Sequence, residues 1–156
     1  MASHDTLKHR VTLRRATTAD AAEAATVYIA SRRGAAAYLP TVGTDAEIAA
    51  FVIDRMVPER ETWVAEAGGR IVAVMVLDGD MVDQFYVFPA DQRRGVGDAM
   101  LAYAKQLRPA RLRLYAFQRN APARRFYEAR GFIVKGFTDG ATNMEREPDV
   151  LYEWTP

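Results

Sequence analysis

The chain contains no cysteine. That absence removes disulfides, thiolate metal sites and a cysteine nucleophile together, and it agrees with a reducing compartment. Histidine is scarce: His4 and His9 lie close to the N-terminus with no carboxylate cluster beside them, so no metal site is expected. No charge sign dominates, because 21 Lys and Arg face 20 Asp and Glu for a net charge of +1. Without an overall field, neither nucleic acid nor an anionic membrane is an expected partner. The basic stretch RPARLRL is too short for a nucleic-acid strip and alternates as a strand does. No apolar run reaches membrane-spanning length, and the opening MASHDTLKHR lacks the apolar centre of a signal peptide. A cytoplasmic protein is the expectation. Repeats and low-complexity segments are missing too.

What remains is an ordinary globular composition. The 156 residues are 49% apolar and 26% charged, enough for one domain with a real core. Residues 1–9 are expected to be a flexible N-terminus and residues 10–156 a single domain. RVTLRR alternates at Val11 and Leu13 and predicts a strand. Thr17 with Asp20, and Thr44 with Glu47, are capping-box starts for two helices. The second carries the stripe Ile48, Phe51, Val52 and Met56. The period then shortens. TWVAEA, the Gly68–Gly69 turn and RIVAVMVL read as a hairpin, and MVDQFYVF follows as a third strand after another turn. Val96, Met100, Tyr103 and Leu107 define one face of a third helix. RLRLYAF is a strand, APARRFYEAR a short helix opened by Asn120, and FIVKGF and DVLYEW the last strands. The strand–helix–strand crossover after an antiparallel meander predicts a mixed sheet with helices on both faces.

The sequence between Val87 and Leu101, VFPADQRRGVGDAML, is where a strand becomes a helix. A helix N-terminus offers unpaired N–H groups and partial positive charge, and glycine lets a ligand approach that backbone closely. Gln92 to Asp98 therefore form a candidate phosphate cradle, with Arg93 and Arg94 adding full charges. The alternative is a tight turn with solvated arginines. A dinucleotide fingerprint would need a third glycine where Met100 stands, and Gly-Lys-Ser/Thr of a nucleotide P-loop is absent.

Gln92-Arg93-Arg94-Gly95-Val96-Gly97 resembles the Q/R-x-x-G-x-G/A signature of the GNAT superfamily of acyl-CoA-dependent N-acetyltransferases. DQFYVFP upstream and NAPARRFYEARGF downstream are similar to that family's neighbouring motifs. The resemblance implies an α/β (α+β) fold: a mixed central sheet of about six to seven strands flanked by about four helices. It further implies that acetyl-CoA is the co-substrate, with no metal. The backbone of Arg94, Gly95, Val96, Gly97 and Asp98 would hold the diphosphate. Main-chain groups of Phe85, Tyr86 and Val87 would hold the pantetheine arm, Asn120 would contact that arm, and Tyr127 would sit beside the sulfur. Dimers are common in this family, so a homodimer is compatible with it.

Acetyl transfer to an amine needs a neutral nucleophile, a donor for the carbonyl oxygen and a proton for the leaving thiolate. With no cysteine for a cysteine-linked acyl-enzyme, direct attack in a ternary complex is the simpler route. Tyr127 is the candidate acid, its alternative being a core aromatic beside Phe126. Asp83 is the candidate base, directly or through water. Period two places it with Met81, Phe85 and Val87 on one face, among apolar neighbours that would raise its pKa. Its alternative is an ion pair with an arginine. The acceptor is expected to be a primary amine, on a small molecule first and on a protein or peptide second. Glu145, Glu147, Asp149 and Glu153, with Tyr28, Tyr38, Phe51 and Trp154, are weaker candidates for its pocket. A silent acyl-CoA sensor on the same fold is the rival reading.

Overall fold

The computed structural model describes residues 10–35 and 43–156. Seven strands form one sheet: β1 Thr12–Arg15, β2 Glu61–Ala67, β3 Arg70–Asp78, β4 Met81–Val87, β5 Leu112–Phe117, β6 Ile133–Phe137 and β7 Asp149–Trp154. Their order across the sheet is β1-β2-β3-β4-β5-β7-β6. Every neighbouring pair is antiparallel except β4 and β5. The mixed sheet expected from the element order is present. His4, His9, Tyr38 and the expected flexible segment 1–9 lie outside the described residues.

Among the described residues, four helices flank the sheet. A 3-10 turn, Thr18–Asp20, leads into α1, Ala21–Ala35. The Thr17 N–H donates to Asp20 Oδ2 at 2.7 Å, closing the N-terminal box. Arg14 from β1 holds the same carboxylate at 2.8 and 2.9 Å, and that pairing keeps Asp20 ionised far below the ordinary carboxylate range. Helix α2, Asp45–Phe51, starts at the Thr44–Glu47 box and continues through a π-helical turn, Val52–Met56, and a last turn, Val57–Glu59. Helix α3 is Val96–Leu107 and α4 is Ala121–Glu128.

The core lies in two layers. Strand β3 is buried at every position from Ile71 to Leu77, as a strand covered on both faces must be. On one face α3 and α4 bring Val96, Met100, Leu101, Ala104 and Tyr127 against Ala73, Met75, Leu112, Leu114 and Tyr152. On the other, α1 and the α2 segment bring Ala24, Val27, Tyr28, Val52 and Met56 against Val64, Val74 and Val76. At roughly 25 cal/mol per Å² of apolar surface buried, these layers dominate the stability.

Two local expectations fail. In the α2 stripe, Val52 and Met56 are buried and Ile48 is half-buried, but Phe51 is exposed. One residue turns a helix by about 100°, so Phe51 cannot share the face that Val52 and Met56 occupy at i and i+4. In β4, register with β3 jumps between Val82↔Leu77 and Gln84↔Val76. Asp83 is the extra residue of a bulge. The bulge shifts the alternation, so Val82, not Asp83, shares the buried face with Phe85 and Val87.

Candidate active site at the β4–β5 gap

Strands β4 and β5 run parallel but pair only where they begin, at Met81↔Arg113. Toward their C-terminal ends, Phe85–Val87 and Ala116–Phe117, they have no paired residues with each other. The Phe88 N–H donates to Val72 O at 2.8 Å, which fixes the phase of the β3–β4 ladder. By alternation, Gln84, Tyr86 and Phe88 turn their main-chain groups to β3, whereas Phe85 and Val87 turn theirs into the gap. The Val87 carbonyl accepts from the Gln92 side chain at 3.2 Å, as a group facing away from β3 would. This corrects one expectation: the Tyr86 main chain is committed to the sheet and does not face the gap.

Both helices that follow these strands begin at this end. Helix α3 starts without a side-chain cap; Gly95 stands at its N-cap with φ 87°, a conformation that glycine adopts without Cβ strain. The orphan N–H groups of the first turn are left for another partner. Arg93 also has positive φ, 63°, so the turn tolerates a side chain in a strained conformation there. Gly97 has a different reason: a Cβ would stand 3.2 Å from Phe126 Cζ of α4. Arg130 stacks 3.8 Å over the Phe126 ring and pairs with Asp98, tying the start of α3 to the end of α4. Asn120 caps α4, its Oδ1 accepting from the Ala123 N–H at 3.2 Å, which leaves its amide nitrogen as a donor.

Tyr127 lies under this junction. Its ring packs between Phe85 of β4 and Tyr152 of β7, with both centroids at 6.3 Å, and against Phe126 and Phe132. The residue is 9% exposed, and among the described residues nothing hydrogen-bonds its hydroxyl. Burial pushes its pKa far above the ordinary phenol value, so it is a neutral proton donor at every physiological pH. A buried hydroxyl without a partner is uncommon, because desolvation costs about 1–3 kcal/mol. An orphan hydroxyl and an uncapped glycine helix start, both at the open end of two diverging strands, leave hydrogen-bond donors there for a ligand.

Asp83 does not join this group. It is exposed on its bulge, and its Oδ2 accepts from Arg60 Nη1 at 2.6 Å, so the apolar surroundings expected for it are absent. Of the acidic residues near the C-terminus, Glu147 pairs with Arg119 and Glu153 with Lys135 and Arg111. Glu145 is different. It reaches Arg32 of α1 at 3.1 Å across 113 residues of chain. Arg32 lies 6.0 Å over the Tyr28 ring, Tyr28 packs on Tyr86 at 4.5 Å, and the Tyr86 hydroxyl donates to Gln84 at 2.6 Å. This polar cluster covers the α1 side of β4, opposite Tyr127. Trp154 lies elsewhere, beneath Lys105 on the α3 side.

Sequence reasoning missed Asp91 and Arg70. Asp91 is fully buried one residue before Gln92, and Arg70 of β3 donates to both its oxygens at 2.8 Å. Nothing in the local motif announces a partner 21 residues upstream. Among the described residues no group of three His, Asp or Glu is placed to hold a metal ion, and no helix is long and apolar enough to cross a membrane.

Comparison with known proteins agrees with this fold. A family model described as an acetyltransferase (GNAT) domain matches residues 58–134, from the last turn of the α2 segment into β6. The chain is 35% identical over 85 residues to the peptidyl-lysine N-acetyltransferase YiaC of Escherichia coli, a match covering 54% of this chain and 58% of that protein. The chain thus spans about half the length of the curated relatives it matches. Among solved structures, the apo form of YjaB from Escherichia coli superimposes with a TM-score of 0.78 at 23% identity, over 92% of this chain and 97% of that one. The PaiA N-acetyltransferase of Thermoplasma acidophilum, solved in complex with coenzyme A, gives 0.72 at 15% identity, over 94% and 99%. At such identities these two structures speak for the fold alone. With the matched domain and the ordered motifs around it, they lead to one conclusion: residues 58–134 match the GNAT acetyltransferase domain, within a chain that has the fold of these structures.

Proposed function

We propose that this chain, with residues 10–156 as its single domain, is an N-acetyltransferase that moves an acetyl group from acetyl-CoA to a primary amine by direct attack in a ternary complex. One observation carries the reading: the gap-facing main chain of Phe85 and Val87, the uncapped start of α3 and the orphan hydroxyl of Tyr127 converge on the same end of the sheet. Bound acetyl-CoA would supply the thioester-activated acetyl group. The N–H groups of Gly95 to Asp98, with Arg93 and Arg94 around them, would hold its diphosphate. The Phe85 N–H is the donor available to the acetyl oxygen, and the Asn120 amide to the pantetheine arm.

In the transfer, a bond forms from the amine nitrogen to the acetyl carbon and the carbon–sulfur bond breaks. The sulfur takes a proton from Tyr127, which regains one from solvent. The nitrogen sheds its proton to water, because the ion pair of Asp83 with Arg60 leaves that carboxylate engaged elsewhere. The amine would approach from the α1 side, past Tyr28, Tyr86, Arg32 and Glu145, since Tyr127 and α4 fill the other face. A small-molecule amine is the first reading. The similarity to a peptidyl-lysine N-acetyltransferase favours a second, in which the amine is a lysine side chain on a protein or peptide.

Thiol release from acetyl-CoA, measured across small amines and lysine-containing peptides, tests both. Turnover on either class supports the enzyme, and the preferred class selects the acceptor. CoA binding with no turnover on any amine would replace this reading with that of a sensor.

A further inference from the structure

The loop that offers positive charge to a diphosphate also contains a buried negative one. Asp91 has no exposed surface, and it directly precedes the Gln92–Gly95 turn. Its N–H closes a turn onto Phe88 O at 2.9 Å, so the carboxylate is fixed beneath the loop. Oδ1 accepts from Arg70 Nη2 at 2.8 Å and from Arg94 Nη1 at 3.4 Å, while Oδ2 accepts from Arg70 Nη1 at 2.8 Å. A full charge at this depth opposes an incoming anion more strongly than one in water, because the surroundings screen it less. It also outweighs the partial charge, about half a unit, at the helix start. Arg70 comes from outside the loop, at the first position of β3 after the Gly68–Gly69 turn, and its bidentate grip cancels that charge.

We propose that Arg70 is a positioning residue of the coenzyme site: by neutralising Asp91 it lets the buried carboxylate hold Arg94 at the loop without repelling the diphosphate. The inference rests on the functional reading above, and it assigns a role to two residues outside the Gln92–Asp98 motif. A purely mechanical anchor would make a different prediction. If the pair only pinned the loop to β3, removing either partner would weaken coenzyme binding alike. On the electrostatic account the two substitutions differ in sign. Arg70→Gln leaves the carboxylate under the loop with only the longer Arg94 contact at 3.4 Å to offset it, whereas Asp91→Asn removes the opposing charge and keeps an amide oxygen for Arg70.

The test is calorimetric titration of the full chain with CoA, beside a pantetheine titration followed by amide chemical shifts, because pantetheine lacks the diphosphate. Arg70→Gln is expected to raise the Kd for CoA about tenfold, within the usual range of coupling between neighbouring sites. The pantetheine response should not change. Asp91→Asn should bind CoA at least as tightly as the parent, and R70Q/D91N should return to within about threefold of it, the added charge of one substitution being removed by the other. An unpaired buried charge can unfold a protein. If Arg70→Gln does not fold, Asp91→Asn and the double variant carry the test, since neither buries a lone charge. Equal weakening in Asp91→Asn and Arg70→Gln, an equal loss for pantetheine, or an unchanged Kd in Arg70→Gln would overturn the inference while leaving the functional reading intact. A parent chain that takes up no CoA would overturn both.

Discussion

The two sides of the β4–β5 gap are built from different kinds of parts. On the α3–α4 side the working groups are mostly main chain: the start of α3, the gap-facing amides of Phe85 and Val87, and one orphan hydroxyl from Tyr127. They come from the segment 85–127. On the α1 side they are side chains drawn from Tyr28, Arg32, Gln84, Tyr86 and Glu145, joined only by the fold. A backbone site has to be written locally, because glycine placement and strand-to-helix spacing are what expose N–H groups. A side-chain site can be assembled from anywhere, and its composition can change without disturbing the frame. The first side therefore suits a constant ligand, and the second a variable one.

Substitutions can sharpen that contrast or break it. Tyr127→Phe should have the largest effect on rate, cutting turnover by about a hundredfold, the usual worth of a positioned proton donor. Coenzyme affinity should hold, and the Tm should hold or rise, since the lost hydroxyl has no partner to leave stranded and its desolvation cost goes with it. Near-parental turnover in steady-state assays would remove Tyr127 from the chemistry. The same hydroxyl sets a pH sign. Its folded pKa is raised, so its contribution to stability is complete below the unfolded value of about 10 and is lost as pH rises beyond it. Alkaline unfolding of Tyr127→Phe should accordingly be shallower than that of the parent.

Gly95→Glu comes next. It puts a carboxylate and a strained backbone at φ 87°, and should weaken CoA about a hundredfold in calorimetry of folded material. Normal affinity would break the main-chain assignment. Glu145→Gln should act on the other side alone, moving KM for the amine by about tenfold while KM for acetyl-CoA stays put, in line with the loss of a charge-assisted bond. A change in the coenzyme term instead would mean that the two sides are not separable. Asp83→Asn should do least. A partly exposed ion pair contributes about 0–1 kcal/mol, and turnover should stay within about threefold. A larger drop would return Asp83 to the proton path.

The same contrast decides how much was legible in the sequence. The element order, the hairpin at Gly68–Gly69 and the helix start at Gly95 depend on neighbours a few residues away, and the structure has them where the residue pattern puts them. The face of Asp83 was misread because a bulge inserts one residue into β4, and period-two counting holds only while register does. Tyr86 was grouped with Phe85 and Val87 because which main-chain groups face the gap depends on the β3 partner, which no stretch of β4 reveals. The motif gives Gly97 a main-chain role, but its lack of a side chain also has a packing cause that the sequence does not show: a Cβ there would meet Phe126. Arg70, and the pairing of Glu145 with Arg32, were out of reach for one reason: each contact joins residues distant in the chain.

The central claim is that main-chain amides grip the coenzyme in the gap, and amide hydrogen exchange with saturating CoA measures it directly. The account predicts added protection at Phe85, Val87 and Gly95 to Asp98, with Tyr86 already protected by its bond to β3. Unchanged exchange at those amides in folded, CoA-saturated protein would contradict it.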